Sequence, residues 1–261
     1  MHQNAVEKSH ATKLLLGSLA AFLFAIFMNF LANYLPINGV TTAEVSDRYY
    51  NLFTPAGFTF LIWAVIYVSL AILLGVLIWG VIRGRERPMK VISAIGWYFI
   101  ASSVFNGIWI FTWHYEMMLT SFFVIFGLLV SLILLYRKLK ISQFEEGAYL
   151  LPFSVYLGWV SVATIANLVA FTISANWGQF GLPSELWFTF LLIAIIGLSA
   201  YMIFGQNDYL YGLVILWALS GVSVARWSEF GGVSYPSLIA IIATAVVATL
   251  IIRQTDRRLI S

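Results

Sequence analysis

The chain has no cysteine, and only 10% of its 261 residues are charged. The first absence excludes disulfide scaffolds, cysteine-ligated zinc or iron–sulfur centres and thiol nucleophiles. The second excludes an ordinary water-soluble enzyme, because soluble domains carry about a quarter charged residues. What replaces the charge is apolar: 61% of residues are hydrophobic, 17% aromatic, and the mean hydropathy is +0.92. The net charge of +3 is read through the placement of Lys and Arg as membrane topology, with no nucleic-acid partner.

A backbone in hydrocarbon must satisfy its own N–H and C=O groups, so a span is a helix of about 20 apolar residues or a strand of a closed barrel. Long uninterrupted apolar runs without short alternation select helices. Eight runs emerge: Leu14 to Leu35, Phe58 to Ile82, Val91 to Trp113, Met117 to Tyr136, Tyr149 to Ile173, Leu186 to Phe204, Tyr209 to Ala225 and Tyr235 to Ile252. None contains Asp, Glu, Lys or Arg. The predicted fold is therefore all-α, a multipass transmembrane bundle of about eight helices in contact with the lipid bilayer.

Positive charge orients such a bundle, since short cytoplasmic loops collect Lys and Arg. Alternate ends hold Lys8, Lys13, Arg83, Arg85, Arg87, Lys90, Arg137, Lys138, Lys140, Arg253, Arg257 and Arg258 on one side, against Arg48 and Arg226 on the other. An even number of spans with both termini cytoplasmic is expected. The first apolar run is too long for the core of a signal peptide, and it reads as an uncleaved helix. Four segments follow: a cytoplasmic N-terminus over 1–13, five spans over 14–173, an outer loop over 174–185 marked by Gly178, Gly181 and Pro183, and a three-helix block with a basic tail over 186–261. The loop from Pro36 to Gly57 is long for a tight bundle, as functional lids are.

Polar groups inside the runs are few. They are Asn29 and Asn33 in the first, Asn106 in the third and Asn167 in the fifth. Tyr156, Trp159, Ala163 and Asn167 fall at offsets 0, 3, 7 and 11, one helical stripe; Asn106, Trp109 and Trp113 repeat the 0, 3, 7 spacing; the second run adds Trp63 and Tyr67. Converged, these faces would wall a cavity for a flat, mostly apolar ligand. The alternative is interhelical glue, with amides bonding helix to helix and aromatic rings filling the core.

Catalysis or ion coupling in a membrane needs ionisable groups in the spans, and there are none. His2 and His10 lie in the polar N-terminus, and His114 ends the third run beside Glu116, too few ligands for a metal site. Asp208, between the sixth and seventh runs, reads as a turn residue. In the last run Ala240, Thr244 and Ala248 form a small-residue face that suits packing within the monomer or a homodimer.

Three motifs in order carry a resemblance. The fifth run reads Tyr156-Leu-Gly-Trp159-Val-Ser-Val-Ala163-Thr-Ile-Ala-Asn167, the third Asn106-Gly-Ile-Trp109 with Trp113 following, and the second opens Pro55-Ala-Gly57-Phe58-Thr-Phe60-Leu-Ile-Trp63 and reaches Tyr67. These resemble the translocator protein family, also called tryptophan-rich sensory protein or peripheral-type benzodiazepine receptor (TspO/MBR), over roughly residues 12–173. Departures are Phe58 in place of a family Trp, one residue fewer before Trp63, and no counterpart for the last three spans in the five-helix family. An extended, distant member is expected.

The resemblance implies an intramembrane pocket for a hydrophobic small molecule, notably a porphyrin or haem as ligand rather than as a required cofactor. Its residues would be Trp63, Tyr67, Asn106, Trp109, Tyr156, Trp159, Ala163 and Asn167, with Arg48 on the loop as a partner for a ligand carboxylate or as a solvated charge. A sensory or transport role in a bacterial cell membrane follows from the resemblance. A transporter of a hydrophobic solute, a light- or peroxide-dependent porphyrin-modifying enzyme and a scaffold without ligand are the alternatives.

Overall fold

The computed structural model describes residues 2–35, 37–144, 147–177 and 181–260, with the side chains of these except 2–5, 148 and 256–260. Pro36 and Gly178, named above in the loops, and the side chains of His2, Arg257 and Arg258 lie outside the described residues. The protein is all-helical among the described residues, and eight of its helical segments are long and apolar enough to cross a membrane. The integral membrane assignment stands on them.

The helices are α1 (His2–Tyr34), α2 (Thr42–Arg48), α3 (Ile62–Ile82), α4 (Glu86–His114), α5 (Met118–Ile141), α6 (Gly147–Ser174), α7 (Ser184–Ala200), α8 (Tyr209–Glu229) and α9 (Tyr235–Ile260). The first starts well ahead of the apolar run: no Pro or Gly interrupts the chain before Gly17, so α1 begins at His2 and runs straight into the span. The loop after α1 carries the two-turn helix α2 and a 3₁₀ turn over Gly57–Leu61. Beyond α7 the chain tightens into a π-helical turn, Tyr201–Gly205, and Asp208 then caps α8, its Oδ1 accepting from the Tyr211 N–H at 3.0 Å.

By packing, the chain divides into two compact units, Met1–Thr42 with Trp63–Leu157, and Ala43–Ile62 with Gly158–Ser261. In the first unit α4 packs along both α1 and α5. Glycine allows two of the close approaches there: a Cβ on Gly80 would sit 2.4 Å from the Pro88 ring, and one on Gly107 would sit 2.3 Å from the Phe24 ring. Pro88 itself is tolerated because it lies in the first turn of α4, where its missing N–H has no intrahelical partner.

In the second unit α8 and α9 pair along their length, with α7 against α9. The small-residue face of α9 is used inside this unit: Ala240 is fully buried, and the Thr244 hydroxyl lies 3.0 Å from that of Ser223 on α8. The segment 50–59 lies along α8. The Ala56 N–H donates to the Gly221 carbonyl at 3.1 Å, the Trp217 indole N–H donates to the Thr59 carbonyl at 3.0 Å, and Phe58 meets the Trp217 ring edge-on at 5.3 Å.

Outward faces of the spans are apolar. Leu23, Phe27, Val68, Ile72, Phe123 and Ile193 are all more than half exposed. In water such faces would be a severe liability. Against acyl chains they are the ordinary surface of a membrane protein.

Candidate functional site

The first unit brings five of the expected residues together. Trp63 and Tyr67 stand one turn apart on α3, so their rings stack, 5.7 Å between centroids and 16° between planes. Trp63 also stacks on Trp109 of α4 at 5.5 Å and 28°, and Trp109 continues to Trp113 at 6.1 Å and 26°. Tyr156 meets Trp63 edge-on at 6.0 Å. Trp63, Trp109, Trp113 and Tyr156 are all buried, a continuous aromatic column built by the i, i+4 spacing of α3 and α4.

Asn106 is the polar centre beside this column, and none of its surface is exposed. Its Oδ1 accepts twice, from Asn29 Nδ2 at 3.0 Å and from the Tyr67 hydroxyl at 2.9 Å. Asn29 also bonds back to the Ala25 carbonyl at 3.0 Å. The Tyr156 phenol is beside Asn106 as well, yet Asn106 Nδ2 closes no hydrogen bond in the geometry it adopts. A buried amide donor left so costs about 1–3 kcal/mol. Asn106 Nδ2 is therefore a donor that a carbonyl or ring nitrogen of a ligand would satisfy.

At the C-terminal end of α4 lies His114, read from the sequence only as ending the third run beside Glu116. It is fully buried. Its Nδ1 is 2.7 Å from the Ile110 carbonyl, its Nε2 is 3.5 Å from the Thr42 hydroxyl, and its own carbonyl accepts from Asn38 Nδ2 at 3.1 Å. Trp113 joins in, its indole N–H donating to the Thr42 carbonyl at 3.2 Å. The start of the first loop is thus fastened over the end of α4, which removes His114 from water.

The other expected residues belong to the second unit. Trp159 meets Phe60 edge-on at 5.9 Å. Ala163 is buried, and Asn167 spends its amide locally, Nδ2 donating to the Ala163 carbonyl at 2.9 Å. Arg48 closes α2 with an exposed side chain.

A polar cluster in the same unit was missed from the sequence. Arg226, only 3% exposed, pairs with Glu229 at 2.7 Å, donates to the Thr54 carbonyl at 3.3 Å and bonds the Tyr50 hydroxyl, which in turn bonds Glu229. The sequence signal was available: Arg226 stands three residues before Glu229 on the last turn of α8. It was counted only as one of two cations on its side.

A family model described as TSPO-like protein matches residues 14–253. The chain belongs to this family. The match runs through all eight spans, so α7 to α9 are part of the TSPO-like pattern, whereas the resemblance carried by the aromatic and amide motifs covered roughly residues 12–173. No curated protein matches the chain. No solved structure matches it either.

Proposed function

We propose that this TSPO-like membrane protein binds a planar, largely apolar small molecule of the porphyrin class at the aromatic column of Trp63, Tyr67, Trp109 and Tyr156, in a sensory or transport role. The observation that carries the reading is the Asn106 amide: it is fully buried among stacked rings, and its Nδ2 closes no hydrogen bond. Helix gluing accounts for the Oδ1 side of Asn106, which Asn29 and Tyr67 occupy. On the donor side the neighbour is the Tyr156 phenol, with which Nδ2 closes no hydrogen bond, so an acceptor on a ligand has a use for it.

The mechanism is recognition by stacking and one oriented hydrogen bond. Ring faces offset by 5.5–6.1 Å are at the separations of ordinary aromatic pairs, so a flat ligand enters by replacing one ring–ring contact with two ring–ligand contacts. The positive-inside pattern supports both termini on the cytoplasmic side.

The test is a titration of protoporphyrin IX into purified protein in detergent, followed by Trp fluorescence quenching. Saturable quenching that weakens about ten-fold in Asn106→Ala, as loss of one buried hydrogen bond predicts, and at least as much in Trp109→Ala supports the reading. Quenching of equal affinity in both variants rejects the column as the site.

A further inference from the structure

At the lysine-rich end of the first unit, an open cavity of about 890 Å³ lies among the start of α1, the first turns of α4 and the end of α5. We infer that it is a binding site for a phosphate-bearing anion, with the headgroup of an acidic phospholipid as its source. It is distinct from the aromatic column, with which it shares no residue.

The helix pattern places the lining. Lys90, Ser93, Ala94 and Trp97 fall at i, i+3, i+4 and i+7 on α4, hence on one face; Lys138 and Ser142 are one turn apart at the end of α5; His10 comes from α1. Arg87 adds a third cation beside them. Its guanidinium stacks over the ring of Phe144, a lining residue, at 5.3 Å and donates to the Gln143 carbonyl at 3.0 Å. Against these stand Glu7, which lines the cavity, and Glu86, which pairs with Lys90 one turn away. Three cations, Lys90, Lys138 and Arg87, against two carboxylates leave the balance positive.

Depth selects an amphiphile. Lys90 is the last charge before the uncharged run that starts at Val91, and Lys138 is among the first after the α5 span. Both ammonium groups therefore stand where the headgroup phosphates of a bilayer stand, with stems long enough to reach along the surface. Two turns deeper, Trp97 is 68% exposed, with Tyr98 next to it, the placement favoured by aromatic side chains at the acyl boundary. A ligand with an anionic head and an apolar body matches that order; a water-borne anion uses only the upper half. The volume lies within the range for a small-molecule site.

Full-length protein in a neutral detergent is titrated with dihexanoyl phosphatidylglycerol, dihexanoyl phosphatidylcholine and inorganic phosphate, and bound molecules are counted by native mass spectrometry. The Lys90→Gln/Lys138→Gln variant is compared with Lys138→Arg, which keeps the charge, and with Arg253→Gln, a basic residue that does not line the cavity; far-UV circular dichroism checks helicity in each. One phosphatidylglycerol retained in preference to phosphatidylcholine, bound roughly ten-fold more weakly by the double lysine variant alone, supports the site. Inorganic phosphate bound with the same lysine dependence also supports it and reassigns the source to free phosphate. Equal retention of both lipids, or a folded double variant that binds like the parent, overturns it.

Discussion

Asn29 and Asn106, 77 residues apart in the chain, are joined by a 3.0 Å hydrogen bond from Nδ2 to Oδ1 inside the first unit. Tyr67 donates to the same oxygen, so three helices are tied at one buried acceptor. Asn106→Ala strips both donors of their partner and should cost about 1–3 kcal/mol. Asn29→Ala leaves Tyr67 bonded and costs less. The double-mutant cycle, read from reversible unfolding in detergent micelles, should give a coupling of about 0.6–1.7 kcal/mol, the range for interhelical hydrogen bonds in membranes. Strict additivity would mean that the pair does not hold the helices.

A second prediction concerns close packing on α8. A Cβ at Gly221 would lie 2.0 Å from Thr59 Oγ1 and 3.1 Å from its Cβ, and the Gly221 carbonyl takes the Ala56 N–H at 3.1 Å. Gly221→Ala must push the 56–59 segment off the helix. A loss of about 1–3 kcal/mol is expected, with increased protease cleavage near residue 56. Adding Thr59→Ala removes the nearest clash and recovers part of the loss. A neutral Gly221→Ala contradicts the packing.

The third prediction is one of pH. The Tyr50 phenol is held above its ordinary value of 10.0, first by burial and then by its bond to Glu229, while Arg226 pulls the other way. Its protonated form is thus favoured by folding. The stabilisation is complete below the ordinary tyrosine value and is lost as pH rises through the raised one. The parent should melt above Tyr50→Phe at pH 8, and the gap should shrink as pH climbs beyond about 10. A gap constant to pH 11 would show that the phenolic proton plays no part.

How much of this was readable in the chain differs from place to place. All eight spans were, because Asp, Glu, Lys and Arg cannot sit cheaply in hydrocarbon and so mark the limits of each run. The turns of α3 and α4 were readable too, since Trp63 to Tyr67 and Asn106, Trp109 and Trp113 follow helical spacing. What periodicity cannot supply is the partner across a helix gap: nothing in Asn29 alone points to Asn106. Arg226 was misjudged for a related reason. A charge just past an apolar run looks solvated until another segment, here Tyr50 to Thr54, covers it. His114 was covered in the same manner by Asn38 and Thr42. The family's reach into α7 to α9 was hidden because the aromatic and amide motifs that carry the resemblance end at Asn167.

The most direct measurement is the side-chain amide resonance of Asn106 in protein labelled with ¹⁵N-asparagine, assigned by its disappearance in Asn106→Ser and followed as protoporphyrin IX is added. A porphyrin seated on the Trp63–Trp109 face would shift the Asn106 Nδ2 protons strongly by its ring current and slow their exchange. The amide of Asn207, which takes a hydrogen bond from Gln254 in the second unit, should stay where it is. Saturable quenching of Trp fluorescence with an unmoved Asn106 resonance would contradict the account.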